Sequence, residues 1–156
     1  MFQINGKKIG QGFEPYLIAE LSANHDGNIE KAKKLIKSAK DAGANAVKIQ
    51  TYTPETMTLN SSNEDFMIKD GLWKGYNLYQ LYEKAYTPYE WHHELFKFAR
   101  SIGITIFSTP FDESAVNLLE ELNTPAYKIA SFELTDIPLI KYAASKNKPM
   151  LISTGL

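Results

Sequence analysis

Polar residues stand at the C-terminal ends of successive apolar runs in this sequence. Glu20 follows Tyr16-Leu17-Ile18-Ala19, and Lys48 and Gln50 lie within Ala46-Val47-Lys48-Ile49-Gln50. Ser108 and Thr109 follow Ile104-Thr105-Ile106-Phe107, while Lys128, Ser131 and Glu133 surround Ala126-Tyr127-Lys128-Ile129-Ala130. Ser153 and Thr154 close the run that begins at Met150. One strand lysine or serine alone is more often a structural group than a ligand, but the same arrangement at every run points to a shared binding site. Lysines supply point charges and hydroxyls donate to phosphate oxygens, so the set suits an anionic, phosphorylated ligand. Lys128 is flanked by apolar neighbours, and a buried ammonium group needs a counter-charge that a bound anion could provide. A rival use of Lys128 is as a Schiff-base nucleophile, because burial can lower a lysine's pKa enough for it to react. The carboxylates of Glu20 and Glu133 suit hydroxyl binding or proton transfer.

The histidines are weaker candidates. His92 and His93 are adjacent on an expected helix and cannot face one way, so they do not form a metal pair, and they are expected on its solvent side. His25 sits in Ser22-Ala23-Asn24-His25-Asp26-Gly27, the loop after the first run, where it either shapes the loop or meets substrate. The sequence has no cysteine, which excludes thiolate nucleophiles, disulfides and Cys-ligated metal.

Positioning such a set requires a scaffold, and the sequence describes one. Its 156 residues carry 17 basic and 18 acidic side chains and are 44% hydrophobic, the profile of one soluble globular domain. No basic block favours nucleic acid, no apolar run approaches the ~20 residues of a membrane span, and no signal-peptide pattern opens the chain. A cytoplasmic protein without nucleic-acid or membrane partners is therefore expected.

Residues 1–12 alternate around Asn5-Gly6, which predicts a small hairpin flap. Thereafter apolar strands alternate with amphipathic helices: strand 16–19, a helix from Ile29 with Asn28 as N-cap and Gly43 as stop, and strand 46–50. A helix capped by Thr87-Pro88-Tyr89-Glu90 leads to strand 104–107, helix 113–122 to strand 126–130, and helix 138–146 to strand 150–153. Such alternation predicts parallel strands covered by helices. Either a complete flavodoxin-like doubly wound sheet that binds an anion without catalysis, or the first five β/α units of a (β/α)8 TIM barrel, fits this order. The absence of a covering helix after the fifth strand favours the truncated barrel. The long 51–87 connection, with one helical pattern at 78–86, follows a strand's C-terminal end, the catalytic face of a barrel. Its aromatics Trp73, Tyr76, Tyr79 and Tyr82 are expected to pack around that short helix, with a wall over a sugar as the alternative.

Several segments carry a family resemblance. Ile18 to Gly27, Val47-Lys48-Ile49-Gln50-Thr51, Ser108-Thr109-Pro110-Phe111, Tyr127 to Glu133 and Ile152-Ser153-Thr154-Gly155 resemble, in order and spacing, the sialic acid synthase family. Thr51-Tyr52-Thr53-Pro54 and the 71–92 segment are most similar to the branch of that family that forms pseudaminic acid. The resemblance implies condensation of phosphoenolpyruvate with an N-acetylated sugar aldehyde, giving a nonulosonic acid and phosphate by C–O cleavage. It implies that Lys48, Thr109 and Lys128 hold the phosphoenolpyruvate carboxylate, Ser131 and Ser153 its phosphate, and Gln50 and Glu133 the sugar, with Glu20 as the catalytic group that assists water. It further implies a divalent metal, manganese or magnesium, whose ligands lie outside these residues, a homodimeric full-length parent, and a partial barrel domain over 1–156 that is inactive alone.

Overall fold

The computed structural model describes residues 1–155. Strands β1 (Phe2–Ile4) and β2 (Lys7–Ile9) form an antiparallel hairpin in which Phe2 faces Ile9 and Ile4 faces Lys7. Asn5 and Gly6 join them at φ 48° and 80°, the doubly left-handed turn that an Asn-Gly pair accommodates.

Five parallel strands follow, each but the last succeeded by a helix. They are β3 (Ile18–Glu20), β4 (Ala46–Thr51), β5 (Thr105–Pro110), β6 (Tyr127–Ile129) and β7 (Met150–Ile152). Their order in the sheet is β3-β4-β5-β6-β7, the order of the chain. A doubly wound sheet must reverse its strand order at a switch point, and this sheet never does. The flavodoxin-like alternative is thereby excluded. The sheet curls into a half-barrel with its helices on the convex side.

The helices follow from their apolar spacing. In α1 (Ile29–Asp41) Ala32 and Ile36 are buried, and the Asn28 side chain accepts from Lys31 N at 3.0 Å, closing the N-terminus as expected. In α4 (Tyr89–Ile102) Leu95, Phe96 and Ala99 face inward, and Gly103 ends the helix at φ 74°. In α5 (Glu113–Glu121), capped by Asp112, and in α6 (Ile137–Ala144), Val116, Leu119, Leu139 and Ala143 do the same. These meet Val47, Ile49, Ile106, Tyr127 and Ile129 in one core between sheet and helices. No helix is long and apolar enough to cross a membrane among the described residues.

Two local expectations fail. The Thr87-to-Glu90 capping box does not form: Pro88 is the N-cap of α4 without a side-chain bond, because the buried Thr87 hydroxyl faces His25 Nε2 at 3.3 Å instead. The 51–87 segment is more ordered than expected, adding α2 (Pro54–Met57), a 3-10 turn at Glu64–Phe66 and a bridge between Met67 and Asn77 ahead of α3 (Leu78–Ala85).

The concave face has a second, smaller cluster. Ile4 from the hairpin packs with Ala46, Phe107 and Ala126 near the N-terminal ends of the strands, flanked by Ile18 and Leu151. The hairpin is therefore a plug beneath the sheet and not a flap over it. Ile4 is 0% exposed, so Ile4→Ala leaves a cavity and should cost about 2–5 kcal/mol. A lowered denaturation midpoint with an unchanged slope is the expected readout; a loss below 1 kcal/mol, read against the same ~2–5 kcal/mol scale, would mean the plug is peripheral.

Candidate active site

Alternation along the strands decides which polar groups meet. β4 and β5 run in register, with Lys48 beside Phe107, Gln50 beside Thr109 and Thr51 beside Pro110. Residues two apart share a face, so Lys48 and Gln50 stand on the concave side with Ala46, and Thr109 stands there with Phe107. Glu20 lies beside Lys48 in the β3–β4 register. Lys128, two residues past Ala126, shares its concave face.

Lys48 is the best-partnered of these groups. It is 7% exposed, pairs with Glu20 Oε2 at 2.6 Å and donates to Thr109 Oγ1 at 3.1 Å. Lys128 donates to the Ile129 carbonyl at 2.6 Å and to Ser153 Oγ, and it makes no salt bridge among the described residues. Burial holds the Lys128 ammonium below the usual lysine range, and nearby Lys48 lowers it further, against the pull of Glu20 and Glu133. Two ammonium groups thus share one directly paired carboxylate. That imbalance is what an anion would relieve.

The remaining sequence-predicted residues fall at the same end of the sheet. Ser131 and Ser153 line a cleft of about 620 Å³ together with Phe132, Ile152, Thr154 and Gly155. Glu133 sits in a 3-10 turn, Phe132–Thr135, and burial is the main cause that raises its carboxyl above the ordinary range. Its Oε2 is out of contact with water and has no hydrogen-bond partner among the described residues.

Ser108 does not join them. It lies on the convex face, where Thr51 Oγ1 is 2.6 Å away and the Ile49 carbonyl 3.0 Å away. The expectation that all strand-end groups converge fails here because Ser108, like Ile106, has the parity of the helix-facing residues.

His92 is also on that side, completely buried rather than solvent-facing. Its position three, four and seven residues before Leu95, Phe96 and Ala99 places it on the core stripe of α4, a signal present in the sequence. Nδ1 lies 3.0 Å from the Pro88 carbonyl and Nε2 2.8 Å from Thr51 Oγ1. A carbonyl only accepts, so Nδ1 carries the proton and Nε2 accepts from the Thr51 hydroxyl. Thr51 Oγ1 can then only accept from Ser108, whose single proton is shared between it and the Ile49 carbonyl. The chain Ser108–Thr51–His92–Pro88 joins β5, β4 and α4 by polar contacts inside an apolar core. His25 plays a parallel part in the loop after β3: Nδ1 accepts from Gly27 N at 3.2 Å, leaving Nε2–H to donate to Thr87, and its ring meets Trp91 edge-on at 5.5 Å. Of its two possible uses, loop shaping is the one the contacts describe.

A concave wall of lysines and hydroxyls stands at the C-terminal ends of parallel strands, and comparison with known proteins assigns the chain to a family. The profile of the NeuB family matches residues 35–156, and the chain belongs to that family. It is 54% identical over 141 residues to the pseudaminic acid synthase of Campylobacter jejuni, covering 90% of this chain and 41% of that protein. It is 52% identical over 142 residues to the pseudaminic acid synthase of Helicobacter pylori, covering 91% and 42%. The crystal structure of N-acetylneuraminic acid synthetase from Leptospira borgpetersenii, in complex with citrate, superposes with a TM-score of 0.83 at 28% identity, covering 99% of this chain and 49% of that one. The chain spans about two fifths of the length of the curated relatives it matches. The half-barrel is thus a fold that this chain shares with part of that solved structure.

Burial pulls the His92 imidazole from 6.5 down to about 4. Its folded pKa is below the unfolded one, so the unfolded chain binds the extra proton between those values and stability is fully present above pH 6.5 and declines toward pH 4. The loss amounts to about 3 kcal/mol. Denaturation at pH 7 and 4.5 should therefore show a steeper fall for the unaltered protein than for His92→Gln, which starts less stable; parallel slopes would show that His92 takes up its proton alike in the folded and unfolded states.

Proposed function

We propose that this chain carries the phosphoenolpyruvate wall of a nonulosonic acid synthase that condenses phosphoenolpyruvate with an N-acetylated sugar aldehyde and forms pseudaminic acid. The observation that supports it most is the pair of concave lysines, Lys48 and Lys128, with hydroxyls beside them and a single directly paired carboxylate. Identities of 52–54% to pseudaminic acid synthases favour that product within the family.

In this reading Lys48, Lys128 and Thr109 hold the substrate carboxylate. Ser131 and Ser153, on one cleft, donate to the phosphate. Gln50 and Glu133 take the sugar. The nucleophilic methylene carbon of phosphoenolpyruvate attacks the aldehyde carbon, and the electron deficiency that develops at C2 is met by water. Glu20 orients that water and takes its proton, the former aldehyde oxygen gains a proton to become a hydroxyl, and C2–O cleavage then releases phosphate and leaves the water oxygen as the C2 carbonyl oxygen of the open-chain product. Glu20 already serves as counter-ion to Lys48, so substrate carboxylate and Glu20 share one ammonium group, which keeps the base beside the reacting carbon.

The family resemblance implies a divalent ion. No group of three or more His, Cys, Asp or Glu side chains could hold one among the described residues. A cytoplasmic homodimer is the assembly this reading favours.

The lowered Lys128 also suits a Schiff-base aldolase. In the full-length protein, Lys128→Ala should raise KM for phosphoenolpyruvate by at least about 30-fold, since removing the partner of a desolvated anion costs about 2–5 kcal/mol, with KM for the sugar changed far less. Borohydride in the presence of pyruvate should trap no adduct; a covalent adduct at Lys128 would replace the synthase by the aldolase.

Glu20→Gln keeps shape and removes basicity. Phosphate release should slow by at least ~10²-fold while the melting temperature and phosphoenolpyruvate binding hold, because general-base assistance contributes about 10²–10⁴-fold. Near-normal turnover in this variant would take Glu20 out of the mechanism.

A further inference from the structure

The two concave lysines are held together across β5. Lys48 stands on β4 and Lys128 on β6, so two ladders set the distance between them. The first is long: β4 and β5 pair from Ala46 beside Thr105 to Thr51 beside Pro110. The second is a single pair among the described residues, Ser108 beside Tyr127, and Tyr127 immediately precedes Lys128. Ser108 is therefore the point from which β6 hangs on the earlier strands. Two like charges facing one space repel, and with a single directly paired carboxylate beside them the sheet must resist that repulsion before any anion arrives.

The Ser108 side chain is placed to supply that resistance. Its Oγ lies 3.0 Å from the Ile49 carbonyl and 2.6 Å from Thr51 Oγ1, both on β4. Ile49 is also its register partner, so main chain and side chain fasten β5 to the same residue of β4. Thr51 is braced in turn by His92 Nε2 at 2.8 Å, and His92 by the Pro88 carbonyl at 3.0 Å. Thr51, Ser108 and His92 are all 0% exposed, so none of them can touch a ligand. Apolar side chains would fill the same convex space without the cost of desolvating three polar groups, but only directional bonds oppose a twist of β5 against β4.

We propose that Ser108, braced by Thr51 and His92, is a positioning residue for the anion subsite: it fixes β5 at the one residue that carries β6, and so sets the spacing of Lys48 and Lys128 before the anion binds. That the anion is phosphoenolpyruvate rests on the synthase reading. Held at that spacing, both ammonium groups reach one carboxylate without reordering the sheet, which strengthens binding by removing an entropic penalty.

The test is a double-mutant cycle in the full-length protein: unaltered, Ser108→Ala, Lys128→Ala and the two combined. Each is titrated calorimetrically with phosphoenolpyruvate, and phosphate release on adding a 2,4-diacetamido hexose is followed separately. Ser108→Ala removes the brace yet leaves no buried proton without an acceptor, since Thr51 still donates to His92. The expected result is a loss of phosphoenolpyruvate affinity of about fivefold when Lys128 is present and of less than about twofold when it is already alanine, because one lysine leaves no spacing to set. Ile36→Val, a core substitution on α1, should lower stability and leave that affinity unchanged. Unchanged affinity in Ser108→Ala overturns the proposal. So does an equal loss in both backgrounds, or a matching loss in Ile36→Val, either of which marks Ser108 as a packing residue only. Failure of the unaltered protein to bind phosphoenolpyruvate overturns it too. The expected affinities without phosphate release in the unaltered protein support the Ser108 assignment and defeat the synthase reading instead.

Discussion

Neighbouring residues of a strand cannot face the same way, and in a sheet whose two sides have opposite tasks this alternation governs everything else. On the convex side β4 offers Val47, Ile49 and Thr51 to the helices; on the concave side it offers Ala46, Lys48 and Gln50. β5 in register does the same with Ile106 and Ser108 against Phe107 and Thr109. Shifting β4 by one residue would drive the Lys48 ammonium group into the helix-packed core and expose valine and isoleucine to the site. Register here is fixed by hydrophobic burial, and the chemistry inherits that accuracy.

The two polar systems that result differ in what they ask of their surroundings. The concave one, around Lys48 and Lys128, leaves charge uncompensated and Glu133 with an open oxygen. The convex one, Ser108–Thr51–His92, satisfies its members internally and keeps its imidazole neutral. They meet through the backbone, since Thr51 adjoins Gln50 and Ser108 adjoins Thr109. A satisfied network behind the wall thus holds the strand ends whose other faces remain available to ligand.

Much of this was legible in the sequence. Apolar runs separated by amphipathic spacing reveal all five parallel strands and their helices within a few residues, because burial on both faces leaves a continuous signal. Lys48, Thr109, Lys128 and Ser153 were readable as a converging set for the same reason. What escaped was contact between residues distant in sequence. Thr87 reads as a cap from its neighbours alone, and only folding brings His25, 62 residues away, to its hydroxyl. Ser108 reads as a site residue when counted by proximity to a strand end and as a core group when counted by parity. Two-residue alternation was the better guide.

The long connection after β4 is fastened at both ends and comparatively free between them. Tyr52 and Thr53 anchor its start through ring packing and a capping box, and Thr87 and His92 tie its return to the loop after β3 and to β4. Its middle, by contrast, places Leu59 and Leu72 in solvent and contributes no residue to the main core. A segment built this way is a cassette: its interior can diverge, lengthen or be transplanted between related barrels without disturbing strand register. The segment can therefore change on a schedule separate from the strand ends, with the two histidine fastenings marking where a graft should begin and end.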